Sequence, residues 1–211
     1  MKKTLLIAAA ALAASVISSQ AQVYSKNVVG YYNKPCPSGV FVLVANQLDN
    51  GTNKANDVLS ALPNKSLLQI WNGTGFTPYT KTSSGFAGNP SLPVGTGFFV
   101  RSASNFTNTF SGNVALLSGE KSTNNLPAGV FVLTGSTIPV GGNLNDTGTN
   151  TLNLIATLPN KSLIQTWNGS GFTPYTKTSS GFAGNPAFLV GQGLFIRSAS
   201  ASSWVQTFTN Q

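Results

Sequence analysis

Histidine is absent from this 211-residue sequence, which has one cysteine, one methionine and four acidic residues. The absence of histidine removes the commonest general base and the commonest metal ligand. With Cys36 as the single cysteine, an intrachain disulfide is impossible and a zinc or copper site has no ligand set. We therefore expect no metal, no other cofactor and no enzyme, and we assign no catalytic residue.

Long hydrophobic runs are also missing, apart from one short run near the N-terminus. Residues 1–3 are Met-Lys-Lys, residues 5–17 are mostly apolar, and residues 19–21 supply the small side chains that signal peptidase requires. The apolar run is too short and too early for a spanning helix. The sequence thus predicts a signal peptide at 1–21, no membrane span, and a secreted protein of the extracellular space or cell surface, or of the periplasm.

Charged residues of either sign are few. Without the two lysines of the signal peptide, ten basic and four acidic residues remain, a net charge of +6. A modest positive excess favours anionic partners such as acidic polysaccharide, although it also serves colloidal solubility. The basic residues stand singly instead of in runs, so we predict no nucleic-acid partner.

One long segment occurs twice in the chain. Residues 62–104 and 158–200 are identical at 34 of 43 positions, and residues 37–43 return at 127–133 with one substitution. A duplication this close presents the same surface twice. We predict two tandem pseudo-symmetric repeats that pack on each other.

The repeat boundaries follow from the spacing of equivalent residues. We place the first repeat at 22–112 and the second at 113–211. The offset between equivalent positions rises from 90 to 96, so six extra residues lie between Thr134 and Thr157. The glycine, asparagine and threonine around 141–150 predict a surface loop there.

The abundance of glycine, asparagine, threonine, serine, valine and phenylalanine predicts a mainly β fold, sandwich- or barrel-like. In the first repeat the predicted strands are 40–44, 66–71, 76–81, 97–101 and 106–110, with counterparts in the second. Asn72-Gly73 predicts a hairpin turn, because both residues tolerate a positive φ. Each repeat should also contain one short helix, which in the first is capped by Asp57 and stopped by Pro63.

The terminal segments are expected to need a partner. Phe110 to Leu117 continues from the first copy into the second, whereas the second copy has no such continuation. Val23–Asn33 is therefore predicted to pair with Val205–Thr209, because exposed strand edges invite pairing. Pairing within one chain would close the assembly, and pairing between chains would give a polymer.

The best candidate for a binding site is the block Trp-Asn-Gly-x-Gly-Phe-Thr-Pro-Tyr, present in both copies. Carbohydrate sites combine aromatic planes for sugar C–H faces with amide groups for hydroxyls. The hairpin also carries Phe76 and Phe172 as aromatic candidates, and further polar candidates, which are Gln69, Thr77, Gln165 and Thr173. Aromatic residues that flank a hairpin also form ordinary cross-strand packing pairs, and both interpretations stay open. The candidate ligand-binding residues are Trp71, Asn72, Tyr79, Trp167, Asn168 and Tyr175.

Two short motifs are weaker. Ser118-Gly-Glu-Lys121 has the S-x-x-K spacing of serine β-lactamases, and Lys177-Thr-Ser resembles their K-T-G motif. In those enzymes the serine opens a buried helix, whereas Ser118 lies in a connection rich in glycine, serine and asparagine. Gly95-Thr-Gly97 and Gly191-Gln-Gly193 lack the third glycine and the following helix of a dinucleotide site, so they indicate tight turns that lead into strands.

Val23-Tyr-Ser-x-Asn-Val-Val-Gly-Tyr31, Trp71-Asn-Gly73 and Gly95-x-Gly-Phe-Phe-Val100 resemble a class of uncharacterised secreted β-rich repeat proteins of Verrucomicrobia-type bacteria. The resemblance spans nearly the whole mature chain and implies a secreted β-repeat fold, with no activity attached. The predicted function is a non-enzymatic cell-surface or extracellular-matrix protein that binds polysaccharide through its aromatic hairpins. The alternative is a structural subunit that self-associates through its terminal strands.

Signal-peptide cleavage is directly testable. If signal peptidase cuts after Ala21, the exported chain begins at Gln22 and contains 190 residues, because Ser19 and Ala21 fill the −3 and −1 pockets. Intact-mass measurement of the exported protein checks the position of the cut. A mature chain that begins elsewhere, or an uncleaved chain in the membrane fraction, would contradict it.

Overall fold

The computed structural model describes residues 28–116 and 120–209, and within them the chain is mainly β. The strands of the first repeat are β1 (Val29–Cys36), β2 (Phe41–Ala45), β3 (Leu67–Trp71), β4 (Phe76–Thr82), β5 (Gly85–Phe86), β6 (Gly97–Arg101) and β7 (Phe106–Asn113). Those of the second are β8 (Lys121–Leu126), β9 (Phe131–Gly135), β10 (Gly142–Asn143), β11 (Leu163–Trp167), β12 (Phe172–Thr178), β13 (Gly181–Phe182), β14 (Ala187–Phe188), β15 (Gly193–Arg197) and β16 (Ser202–Thr207). The predicted signal peptide lies outside the described residues.

The two repeats build the same arrangement of antiparallel strands. A five-stranded sheet of order β2-β6-β3-β4-β5 in the first repeat matches one of order β9-β15-β11-β12-β13 in the second. A two-stranded ribbon, β1 with β7 or β8 with β16, accompanies each sheet, and β10 pairs with β14. Neither five-stranded sheet closes into a barrel. The prediction of a mainly β fold in two pseudo-symmetric repeats is confirmed.

Each five-stranded sheet buries apolar side chains on both faces, because neighbouring residues of a strand point to opposite sides. The face that packs against the repeat's own ribbon and helix is here called the core face. In the first sheet it carries Val44, Leu68, Phe98 and Val100. The opposite face, here called the shared face, packs against the other repeat. In the first sheet it carries Phe41, Leu43, Trp71, Phe76 and Phe99.

Among the described residues, 29–33 and 205–207 do not pair with each other, which corrects that part of the prediction for Val23–Asn33 and Val205–Thr209. Residues 23–27 of the prediction lie outside the described residues. Strand β1 pairs with β7 from Val29↔Asn113 to Cys36↔Phe106, and β16 pairs with β8. The counterpart of β1 in the second copy is thus Lys121–Leu126, not residues 113–117. Within the described residues each repeat therefore pairs its own ribbon, and self-association of the chain stays a prediction.

Each repeat contains one helical turn, α1 (Ala55–Val58) and α2 (Leu154–Thr157). The prediction that Asp57 caps the first helix is wrong, since the N-cap is Lys54 and Asp57 lies inside the helix. A distant loop takes the capping role. The side chain of Asn89 accepts a hydrogen bond from the Asn56 amide at 2.9 Å, and the Pro90 carbonyl accepts one from the amide of the first helical residue at 2.9 Å.

The β3–β4 hairpin turns through four residues, and of Asn72 and Gly73 only Gly73 has a positive φ. The predicted hairpin turn between these strands is present. The Asn72 side chain shapes the turn, because its Oδ1 accepts hydrogen bonds from the amides of Thr74 at 3.1 Å and Gly75 at 2.9 Å. Asn168 does the same in the second repeat.

The extra residues of the second repeat can be placed by matching hydrogen bonds. The Asn56 side chain accepts from the Phe86 amide at 2.6 Å, and the Asn145 side chain accepts from the Phe182 amide at 2.8 Å, so the two asparagines are equivalent. The offset between equivalent residues is 89 at this pair and 96 from Leu158 onward, so seven extra residues follow Asn145 and one residue is missing before it. Residues 147–149 are exposed, as the prediction of a surface loop requires.

Backbone groups join the two repeats directly. The Ala45 amide donates to the Gly191 carbonyl at 3.0 Å, and the Gly135 amide donates to the Gly95 carbonyl at 3.0 Å. A Cβ at Gly97 would lie 2.9 Å from the backbone nitrogen and oxygen of Thr134. The second glycine of each Gly-x-Gly pair therefore does more than lead into a strand, since it lets a strand of the other repeat approach.

We expect Gly97→Ala to destabilise the protein by about 1–3 kcal/mol, because the added methyl group overpacks the contact with Thr134. Gly75→Ala is the control, since a Cβ there meets no atom within 4 Å, and it should change stability by less than about 0.5 kcal/mol. Urea unfolding measures both. Equal losses for the two variants would contradict the close approach of the repeats.

Candidate functional site

A cluster of eight aromatic rings fills the space between the shared faces. Four come from each repeat and occupy equivalent positions. They are Phe41, Trp71, Phe76 and Phe99 in the first repeat, and Phe131, Trp167, Phe172 and Phe195 in the second. Ring centroids in contact lie 5.0 to 6.3 Å apart in edge-to-face arrangements, for example Trp71 with Phe195 at 5.2 Å and Phe99 with Trp167 at 5.1 Å. Such pairs contribute about 0.5–1.5 kcal/mol each beyond the burial of their area.

The two tryptophans tie the repeats together reciprocally. Trp71 Nε1 donates to the Phe131 carbonyl at 3.1 Å, and Trp167 Nε1 donates to the Phe41 carbonyl at 2.9 Å. Each bond runs from the end of one repeat's hairpin to the first residue of the other repeat's edge strand. The indoles are half-buried, so one part of each ring packs and another part remains accessible.

The cluster is open to solvent on one side. A cavity of about 240 Å³, here called the aromatic cleft, is lined by Phe41, Gln69, Phe76, Phe99, Trp167 and Phe172. Phe172 leaves 38% of its surface exposed, whereas the floor residue Phe99 is buried. The lining combines five aromatic rings with one amide and includes residues of both repeats. This is the composition of a site that binds a flat, partly apolar ligand.

The six residues predicted to bind a ligand do not share one site. Trp167 lines the cleft, and its counterpart Trp71 belongs to the same aromatic cluster. Tyr79 and Tyr175 point to the core faces of their sheets, where they pack against the repeats' own cores. Asn72 and Asn168 are exposed, and their side-chain oxygens are occupied by their own turns. The structure thus separates the six positions, and ligand contact by each of them stays a prediction.

The chain's arginines stand beside the cluster. The guanidinium carbon of Arg101 lies 5.1 Å from the ring centroid of Phe41, and that of Arg197 lies 5.2 Å from the ring centroid of Phe131. Both side chains are exposed. A positive charge over an aromatic face is attracted to the ring's quadrupole, so each arginine is held against a residue of the cluster.

Side chains proposed by the weaker catalytic motif serve other purposes or cannot be placed. Ser118 lies outside the described residues. Lys177 Nζ donates to the Asn160 side chain at 3.0 Å, and its counterpart Lys81 donates to the Leu62 carbonyl at 2.5 Å. Both lysines thus hold the chain ahead of the hairpin, as the repetition of Lys-Thr-Ser in both copies suggests.

Within the described part of the chain, the three aspartates are hydrogen-bonded and the cysteine is buried. The carboxylates of Asp49, Asp57 and Asp146 accept hydrogen bonds from neighbouring loop residues. Burial raises the pKa of the Cys36 thiol, which keeps it protonated and a poor nucleophile. Residues 28–116 and 120–209 contain no group of three or more potential metal ligands, and none of their helices is long and apolar enough to cross a bilayer.

Sequence reasoning missed Phe41, Phe99, Arg101 and their counterparts. The repeated pattern Gly-x-Phe-x-Arg in β6 and β15 could have identified the buried phenylalanine and the arginine. Residues two apart in a strand point to the same side, so this phenylalanine and the arginine share the face of the glycine. The pattern does not show which surface packs against this face. That surface is the same face of the other repeat.

No protein-family model, curated protein or solved structure matches this chain. The resemblance to secreted β-rich repeat proteins therefore stays a prediction.

Trp167→Phe and Trp71→Phe should each destabilise the protein by about 1–2 kcal/mol, because each leaves a carbonyl of the other repeat without its donor. The control is Tyr79→Phe, which removes a polar atom from the opposite side of the same hairpin. Urea midpoints at a constant m value measure the three variants. Losses no larger than that of Tyr79→Phe would contradict the role of the indole nitrogens.

Proposed function

We propose that this chain is a secreted, non-enzymatic binding protein of the cell surface or extracellular matrix, and that it binds polysaccharide in the aromatic cleft. The observation that supports the proposal is the cleft itself, with five aromatic rings and the Gln69 amide around a cavity of about 240 Å³. Rings of this kind stack on the C–H faces of sugars, and the amide bonds to hydroxyl groups. The predicted signal peptide would direct the protein to the cell surface or the extracellular space, where polysaccharides occur.

The residues that line the aromatic cleft differ in part from those that the sequence predicts to bind a ligand. Trp167, Phe76 and Phe172 remain from that prediction, and Phe41 and Phe99 are added, whereas the tyrosines face the cores. Of the polar candidates, Gln69 lines the cleft, and it lies on the shared face between Phe99 and Pro78 in the strand register. The site contains residues of both repeats, so ligand contact depends on their packing.

The test is retention of residues 22–211 on insoluble polysaccharides, such as cellulose, chitin and xylan, at high salt. Phe172→Ala should weaken retention about tenfold or more, since stacking on the most exposed ring of the cleft is lost. Tyr31→Ala is the matched control, because Tyr31 is 76% exposed on β1 and lies outside the cleft, and it should leave retention unchanged.

Circular dichroism and urea midpoints establish that both variants stay folded. The fluorescence of Trp167 supplies a second readout, because a sugar in the cleft changes the environment of this indole. Retention of the unmodified chain that Phe172→Ala and Tyr31→Ala reduce equally would contradict the proposed site. If no polymer is retained at high or low salt, polysaccharide binding itself is refuted.

A further inference from the structure

The whole chain contains two arginines, Arg101 and Arg197, and they occupy equivalent positions in the two repeats. Every other basic residue is a lysine. Both arginines end the strand that carries the buried phenylalanine of the cluster, and each lies over the phenylalanine that begins the neighbouring edge strand. The same residue type therefore meets the same aromatic partner twice.

The strand register brings Arg101 to the cleft. Arg101 pairs with Phe41 across β2 and β6, and the two residues lie on the shared face. Phe41 in turn lines the cleft. A guanidinium that stacks on a ring keeps its N–H donors in the plane of the group, directed away from the ring and free to bond an oxyanion. The exposed position of Arg101 leaves those donors accessible.

The electrostatic surroundings favour an anion. None of the six residues that line the cleft is acidic. The carboxylates of Asp49, Asp57 and Asp146 are engaged in loops of their own. The predicted mature chain also carries a net charge of +6. An anionic ligand thus meets a lining without negative charge, inside a positive overall field.

We infer that the ligand of the aromatic cleft is an anionic polysaccharide, whose sugar faces stack on the rings while a carboxylate or sulfate group bonds to Arg101 beside Phe41. A further charged group of the same polymer bonds to Arg197, which holds the equivalent position over Phe131 outside the cleft lining. This inference rests on the proposed function and narrows its ligand. A guanidinium binds such groups through two parallel hydrogen bonds, which a lysine cannot reproduce. Two arginines related by the pseudo-symmetry suit a polymer with regularly spaced charges, since the second contact adds avidity.

The first experiment compares polygalacturonate with its fully methyl-esterified form, which has the same backbone without the charge. The unmodified chain should bind polygalacturonate about tenfold or more tightly, and R101Q/R197Q should remove that preference. R101K/R197K keeps the charge but loses the paired donors. The logarithm of its affinity ratio for the two polymers should be less than half that of the unmodified chain. Carrageenan and uncharged agarose form a second pair that distinguishes sulfate from carboxylate recognition.

The matched control is K65Q/K161Q. Lys65 and Lys161 are equivalent, exposed residues of the two repeats, so this variant removes the same two charges elsewhere on the chain. It should change affinity by less than about threefold if the arginines act by geometry and not by net charge. An equal loss in K65Q/K161Q and R101Q/R197Q would overturn the inference.

The remaining outcomes separate this inference from the proposed function. Equal binding of the charged and uncharged polymers, lost in Phe172→Ala, would overturn anion recognition and leave polysaccharide binding in place. Absence of binding to either pair and to the neutral polymers would refute both. Preference for the charged polymer that survives R101Q/R197Q would assign the anion to other residues and overturn the role of the arginines.

Discussion

Backbone contact between the repeats at Gly97 and Gly193 is the constraint on which the shape of the site depends. A Cβ at Gly193 would lie 2.8 Å from the Val44 carbonyl oxygen, just as one at Gly97 would meet Thr134. Because no side chain separates the strands at these points, the aromatic rings beside them reach across and interleave in edge-to-face pairs. The tryptophans then bond to carbonyls of the opposite repeat. The cleft is the part of this interface that the rings leave unfilled.

The differences between the copies fit this constraint. In β3 and β6, compared with β11 and β15, the four substitutions are Leu68/Ile164, Ile70/Thr166, Phe98/Leu194 and Val100/Ile196, and all lie on the core faces. The shared faces of these strands are identical. Their edge strands differ at Val44/Thr134 and at Ala45/Gly135, and at the second of these a Cβ on Gly135 would lie 2.2 Å from the Cβ of Ala45. Two alanines therefore do not fit where the repeats meet, and one copy must carry glycine.

The internal repeat and the alternation of apolar residues were enough to predict most of the strands, the mainly β class and two repeats that pack on each other. The alternation could not reveal which face meets which surface, so Tyr79 and Trp71 were grouped although they point to opposite sides of one hairpin. Ribbon pairing was mispredicted for a related reason. The ribbon positions diverge from a stacked Tyr32–Phe110 pair in the first repeat to Ser122 opposite Gln206 in the second, so the sequence no longer shows that Lys121–Leu126 corresponds to β1.

The packing of the copies has a consequence for how a site of this kind arises. A single repeat would expose its shared face, with four aromatic rings and one arginine, and a self-complementary face of that kind packs on its own copy around a two-fold axis. Joining two copies in one chain fixes that arrangement and removes its dependence on concentration. It also permits the halves to differ, as Ala45 and Gly135 do. Because the cleft takes rings from both halves, neither repeat alone contains it, and the fused pair is the smallest unit that presents the complete surface.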